Sequence, residues 1–250
     1  MRKLQLLLFS LLNLKASCEV DFRIAGGKEA NIEDFPYQIS FNSGGMFCGG
    51  SLIEPDKVLT SAHCISSRRN HFYITAGTTY SRGHGTHRSV ISICNHPKYN
   101  PYTYDYDVSV LTLSEPFILS KTIQTIELVK RNEFFPVGTY GNVTGWGATN
   151  SGSARKSDTL RAVEVPLVDH ARCVRKYRRL TDITARMSCF GYNEGEKDSC
   201  HGDSGGALTI GNRLACIVSF GYECAEPNHP GVYTNISHPE IYDHIQQCLL

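Results

Sequence analysis

From about residue 36 onward the chain is written in short strands, and that pattern removes most fold classes before any chemistry is considered. Runs of β-branched and aromatic residues at 37–41, 58–61, 72–76 and 108–113 are separated by turns of Gly, Pro, Asn and Ser, with no sustained helical period between them. Helical patterns come late, at 168–177 and at 239–250. No internal repeat, low-complexity tract or linker interrupts the sequence. With 250 residues, 41% of them hydrophobic and 20% charged, the chain can bury a core and still form one domain. An all-β class with a C-terminal helix follows.

Ten cysteines in such a chain point to an oxidising compartment. The N-terminus agrees: Met1-Arg2-Lys3 precedes an apolar stretch, residues 4–14, broken only by Gln5, Ser10 and Asn13, as in a secretory signal. This stretch is much shorter than the ~20 residues of a spanning helix, and no later stretch is long and apolar enough, so no membrane association is expected. Removal after Cys18 puts Ala16 and Cys18 at the small-residue positions and fits better than removal after Ser17, which puts Lys15 at one of them. A secreted, extracellular chain is expected. The formal net charge of +1 gives no case for a nucleic-acid partner.

Chemistry concentrates in Asp198-Ser199-Cys200-His201-Gly202-Asp203-Ser204-Gly205-Gly206-Ala207. A Ser among glycines on a tight loop can project its hydroxyl while the backbone turns to present N–H groups to an oxyanion; here these are the amides of Gly202 and Ser204. Glycine and serine runs also occur in ordinary loops, so the segment matters because of its company. Ala62-His63-Cys64 follows an apolar strand, and Asp107 enters another, Val108-Ser109-Val110-Leu111. In the order His63, Asp107, Ser204 these are the members of a nucleophilic triad. Asp105 competes with Asp107, but reads as a solvated loop charge.

On these three motifs the chain, from about Ile24 to its end, resembles the trypsin/chymotrypsin family of secreted serine endopeptidases, with some similarity to the trypsin-like allergens of mites. The resemblance implies two six-stranded antiparallel barrels with the active site between them. It also implies a zymogen: residues 1–18 as signal, 19–23 as pro-segment and 24–250 as protease domain, with a cut after Arg23 freeing the Ile24 amine to pair with Asp203. The activator would be a protease of basic specificity, or another copy of this chain.

The same resemblance places Asp198, six residues before Ser204, at the floor of the primary specificity pocket, with Ser199 beside it. Gly221 and Gly231 match the pocket walls, Tyr233 its back wall, and Ser219 a support for the triad Asp and the substrate backbone. A carboxylate in an apolar slot selects Arg or Lys, because a neutral side chain strands the charge. Departures from the family pattern are Phe220 for a Trp, Glu223 for a Gly at the pocket entrance, Ala207 for a Pro and His244 for a Trp.

Disulfides implied by the resemblance are Cys48 with Cys64, Cys173 with Cys189, and Cys200 with Cys224. Cys94 with Cys248 is a further candidate, on the expectation that the terminal helix packs on the first barrel. Cys216, in an apolar strand, reads as a small buried hydrophobe. No cofactor or metal is expected: the loop 77–88 has no Asp or Glu to hold calcium, and its His84 and His87 read as solvated. The basic run Arg172, Arg175, Lys176, Arg178 and Arg179 reads as a solvated face before an anionic-glycan site. The sequons at Asn142 and Asn235 are weak signals.

The expected function is a monomeric endopeptidase that cleaves proteins or peptides after Arg or Lys, with protein protease inhibitors among its potential partners. The alternative is a catalytically silent homologue acting as a binding module, its cleft obstructed by Phe220 or Glu223.

Overall fold

The computed structural model describes residues 27–43, 46–65, 72–148, 156–195 and 197–250; the expected signal and pro-segment, with Arg23 and Ile24, lie outside them. Fourteen strands and two α-helices follow in order: β1 Lys28–Glu29, β2 Gln38–Ser43, β3 Met46–Glu54, β4 Lys57–Thr60, β5 Phe72–Ala76, β6 Thr86–Asn95, β7 Ser109–Leu113, β8 Glu127–Leu128, β9 Tyr140–Gly145, β10 Arg161–Pro166, α1 His170–Tyr177, β11 Met187–Phe190, β12 Ala207–Ile210, β13 Arg213–Phe220, β14 Gly231–Asn235 and α2 Pro239–Leu249. Among the described residues no helix is long and apolar enough to cross a membrane.

The first barrel closes in the order β2-β3-β4-β7-β6-β5. Side chains alternate across a strand, and the inward set (Ile39, Phe41, Leu52, Val58, Ile74 and Leu111) is wholly buried. The second unit is an eight-stranded sheet in the order β1-β10-β9-β12-β13-β14-β11, with β8 beside β13. The end of β10 meets β11 through the bridge Leu167–Phe190 and the bonds Val168 N to Cys189 O (2.8 Å) and Gly191 N to Pro166 O (3.0 Å). Six strands therefore complete a circuit, with a narrow seam between β10 and β11, while β1 and β8 lie outside it.

The barrels share one core, in which Leu59, Val108 and Val110 of the first pack with Val143, Leu208 and Val218 of the second. A buried polar tie crosses the same boundary, Thr144 Oγ1 donating to Gln38 Oε1 at 2.7 Å. Ile241 and Ile245 of α2 insert into this core, and the Cys94–Cys248 disulfide fastens the helix to β6. The other bridges are Cys48–Cys64, Cys173–Cys189 and Cys200–Cys224. Cys216 is a free, buried thiol, pushed up to about 12 by burial.

Two expectations change at this level. The helical pattern begins at His170 and not at 168, because Val168 still pairs with Cys189 and Asp169 caps the helix, its carboxylate accepting from Arg172 N at 2.8 Å. The loop 77–88 also ends in strand: residues 86–88 open β6, whose outward face is polar enough to hide the alternation.

Candidate active site

Strands β4 and β7 run antiparallel with Thr60 opposite Ser109, so the chain leaving β4 and the chain entering β7 emerge side by side. His63, on a 3-10 turn at Ala62–Cys64, is three residues past that pair, and Asp107 two before it. Their meeting follows: His63 Nδ1 lies 2.7 Å from Asp107 Oδ2, and the His63 backbone N–H donates to Oδ1 at 2.9 Å. Ser219 Oγ donates to Oδ2 at 2.6 Å, and Thr234 Oγ1 donates to the Asp107 carbonyl at 2.9 Å. Asp107 is fully buried. A carboxylate bonded on this side favours the tautomer with the proton on Nδ1, leaving the Nε2 lone pair to accept.

Asp105 is not the solvated charge expected. It pairs with Arg186 (Nη2 to Oδ2, 2.7 Å; Nε to Oδ1, 2.9 Å) and accepts from Thr184 Oγ1 at 2.9 Å. Burial acts to raise its pKa, but these bonds outweigh it and hold the carboxyl below the usual range. Tyr106, the residue between the two acids, sits at φ +56°, and the two carboxylates face different partners, Arg186 and His63.

The loop that carries Ser204 is held by its neighbours. Gly49 N donates to Ser204 O at 2.8 Å and Gly205 N to Val218 O at 2.8 Å, which pins the loop to β3 and β13. Gly202 sits at φ +101°, a conformation side chains resist. The amides of Asp203, Gly205 and Gly206 all have carbonyl acceptors. Among the described residues those of Gly202 and Ser204 have none, so both remain available to a ligand oxygen. Ser204 lines the same cleft as His63. No hydrogen bond joins its hydroxyl to the imidazole among the described residues, a contact that in such sites tightens when substrate arrives.

Asp203 is fully buried and accepts from Gly147 N at 2.8 Å and Cys200 N at 3.0 Å. A Cβ at Gly145 or Gly147 would stand 2.1 or 2.3 Å from its carboxylate, so the Gly-Trp-Gly at 145–147 is the cradle for this acid. Nothing in the reading of the sequence marked these glycines, although their spacing around Trp146 was visible. Burial pushes Asp203 up to about 6.

The cleft has a volume of about 230 Å³ and runs from His63, Tyr104 and Ser204 to Asp198 at its inner end. Asp198 is 3% exposed, and burial pushes it up to about 7. Its Oδ1 accepts from Ser199 N at 2.8 Å and its Oδ2 from Ala225 N at 3.4 Å. Ser199 Oγ lies 3.1 Å from the Tyr233 hydroxyl, which is buried behind the acid. A Cβ at Gly231 would come within 2.6 Å of Asp198 Oδ1. Ser219 and Gly221 line the cleft, whereas Gly231 and Tyr233 back it without lining it. Glu223 lines the mouth at φ +57°, which shows why glycine suits that position. Tyr104, unmarked by the sequence reading, joins the His63 edge to Phe220, with ring centroids at 5.4 and 5.5 Å.

The Cys48–His63–Cys64 and Cys94–His244–Cys248 groups are the soft-donor clusters among the described residues, and their sulfurs are engaged in disulfides.

Comparison with known proteins agrees with this architecture. The family model described as Trypsin matches residues 24–243. The chain is 40% identical over 238 residues to the vitellin-degrading protease of Bombyx mori, covering 93% of this chain and 90% of that one. It is 38% identical to trypsin 5G1 of Aedes aegypti (86% and 81% covered) and 38% identical to trypsin-2 of Salmo salar (86% and 91% covered). With this extent of match and this fold, the chain belongs to the trypsin family of serine endopeptidases.

Proposed function

We propose that this protein hydrolyses peptide bonds after Arg or Lys through His63, Asp107 and Ser204. The observation that carries the reading is Asp198, a buried carboxylate at the inner end of the cleft that holds His63 and Ser204. An Arg or Lys side chain entering that cleft replaces lost hydration with an ion pair, and brings the carbonyl that follows it to Ser204.

His63 Nε2 takes the Ser204 proton as Oγ attacks the carbonyl carbon, and the amides of Gly202 and Ser204 donate to the oxygen as it becomes negative. Asp107 keeps the ring oriented and stabilises the imidazolium. The imidazolium then returns the proton to the leaving amine as the C–N bond breaks, leaving an acyl-enzyme on Ser204. Water, deprotonated by His63, attacks the ester carbon, and as the bond to Ser204 Oγ breaks the imidazolium returns that proton to Oγ, releasing the acid and restoring the serine.

Secretion, removal of residues 1–18 and a cut after Arg23 complete the proposal. A free Ile24 amine would supply a counter-charge for Asp203, which is fully buried against two glycines. Substrates are proteins or peptides with exposed basic residues.

A fluorophosphonate that esterifies activated serines tests the nucleophile. It should label the Ile24-started chain at Ser204 and leave Ser204→Ala and His63→Ala unlabelled. Labelling that persists in Ser204→Ala would contradict the assignment.

A further inference from the structure

Beyond Phe220, next to the cleft, lies a groove of about 390 Å³ lined by Arg175, Lys176, Arg178 and Arg179, with Tyr222 and His229 packed together at 4.6 Å. Four cations around one concavity repel one another unless an anion sits among them. Arg175, Arg178 and Arg179 are exposed, and among the described residues none has a carboxylate ion-paired to it. Lys176 alone is engaged, donating to Asn228 Oδ1 at 2.8 Å, with Glu194 near enough to act on its charge.

The groove adjoins the cleft: Tyr222, which lines the groove, follows Gly221, which lines the cleft. Rings lead from His63 to Tyr104, Phe220 and Tyr177 at centroid distances of 5.4, 5.5 and 6.1 Å, and the Tyr177 hydroxyl accepts from Tyr222 N at 3.3 Å. About five residues of extended chain span such a path. A peptide whose basic side chain is sunk toward Asp198 past Gly221 carries its preceding residues over Phe220 and Tyr222, because they remain joined to the acyl group while the leaving amine departs from the other side.

We infer that this groove selects substrates with acidic residues two to four positions before the scissile Arg or Lys, an inference that rests on the endopeptidase reading above. The chain contains such a sequence: Glu19-Val20-Asp21-Phe22-Arg23 places two carboxylates within the five residues that end at the activation bond. A second copy of this protein is thereby a preferred substrate, and activation accelerates itself. Charge complementarity at this distance acts on encounter and register more than on the chemical step, so the gain is in kcat/KM and fades with salt.

The test uses the activated enzyme and three fluorogenic amides: blocked Arg alone, Glu-Val-Asp-Phe-Arg, and its neutral counterpart Gln-Val-Asn-Phe-Arg. At low ionic strength the acidic peptide should exceed the neutral one about fivefold in kcat/KM, the size expected of one or two exposed charge pairs. Arg178→Gln/Arg179→Gln should erase that ratio while the blocked Arg amide, which reports folding and the catalytic cleft, is unchanged. With the Ser204→Ala precursor as protein substrate, Glu19→Gln/Asp21→Asn should slow the cut after Arg23 by a similar factor. Equal rates for the two peptides, or a ratio that survives in the double variant, would overturn the inference. So would binding of a sulfated polysaccharide to the groove with no discrimination between the peptides, which would assign it to a glycan. No turnover of the blocked Arg amide would overturn the endopeptidase reading and this one with it, whereas turnover without discrimination overturns this one alone.

Discussion

The Ser219 hydroxyl donates, at 2.6 Å, to the same Asp107 oxygen that lies 2.7 Å from His63 Nδ1. One carboxylate oxygen thus joins the second barrel to the histidine of the first. A hydrogen bond to a buried charge contributes about 1.5–3 kcal/mol. Ser219→Ala should therefore lower kcat on an Arg amide by about tenfold or more, with KM changed little, since the hydroxyl removed is the one that holds Asp107 and the Ser219 backbone that faces the cleft is kept. Steady-state kinetics on the activated chain check this; an unchanged kcat would show that the histidine needs no support from the Ser219 hydroxyl.

Gly231 gives the sharpest steric prediction. A methyl group there would stand 2.6 Å from Asp198 Oδ1 and 3.0 Å from the Tyr233 ring. Relief requires the acid or the tyrosine to move, at about 1–3 kcal/mol for such overpacking. Gly231→Ala should raise KM for Arg and Lys amides by about tenfold, while labelling of Ser204 by the fluorophosphonate continues. Normal KM values would mean that the pocket floor is more compliant than its packing indicates.

The pH dependence of ligand binding follows from burial. Asp198 is held up to about 7 and Asp203 up to about 6, each mainly by loss of hydration. Both folded values lie above that of an unfolded carboxylate, so their contribution to stability is complete at acid pH and is lost as pH rises through about 6 and about 7. A cation in the pocket reverses the preference of Asp198, because it pairs only with the ionised acid. Affinity for a small arylamidine should fall about tenfold for each pH unit below the Asp198 value and level off above it. Inhibition constants from about pH 5 to about pH 8 decide the point, and a flat profile would place no titrating acid in the pocket.

The Cys94–Cys248 bridge closes a separation of 154 residues and anchors α2, which carries no part of the cleft. Loop closure of this length is worth about 2–5 kcal/mol. Cys94→Ala/Cys248→Ala should lower unfolding stability by that order while kcat/KM on a short Arg amide stays the same. A matching loss of activity in the folded double variant would show that α2 shapes the site.

Much of this was legible in the residues. Strand β5 lies where its run of β-branched and aromatic residues puts it, at residues 72–76, and β4 and β7 are displaced by one residue at one end or both. Short β-branched runs between turns leave little freedom. His63 and Asp107 could be paired by motif, but their distance depends on the Thr60–Ser109 register, which is non-local. Asp105 was misread because its partner Arg186 is 81 residues away, and no local pattern announces such a pair. The Gly145 and Gly147 cradle, and the place of Tyr104 between His63 and Phe220, were hidden for the same reason: each is a close approach between segments that only the closed barrels bring together.

If Asp198 makes the cleft a receptor for one basic side chain, a cleavage profile reads it directly. A peptide set varied only at the residue before the scissile bond is given to the activated chain, to Asp198→Ser and to Ser204→Ala. Arg and Lys should exceed Phe and Leu by several orders of magnitude, since stranding a buried carboxylate costs about 3–5 kcal/mol. Asp198→Ser should collapse cleavage after Arg while a slow reaction after apolar residues persists, and Ser204→Ala should reduce both to a residual rate. Preference for an aromatic residue in the unmutated enzyme, or Arg cleavage that survives Asp198→Ser, would contradict it.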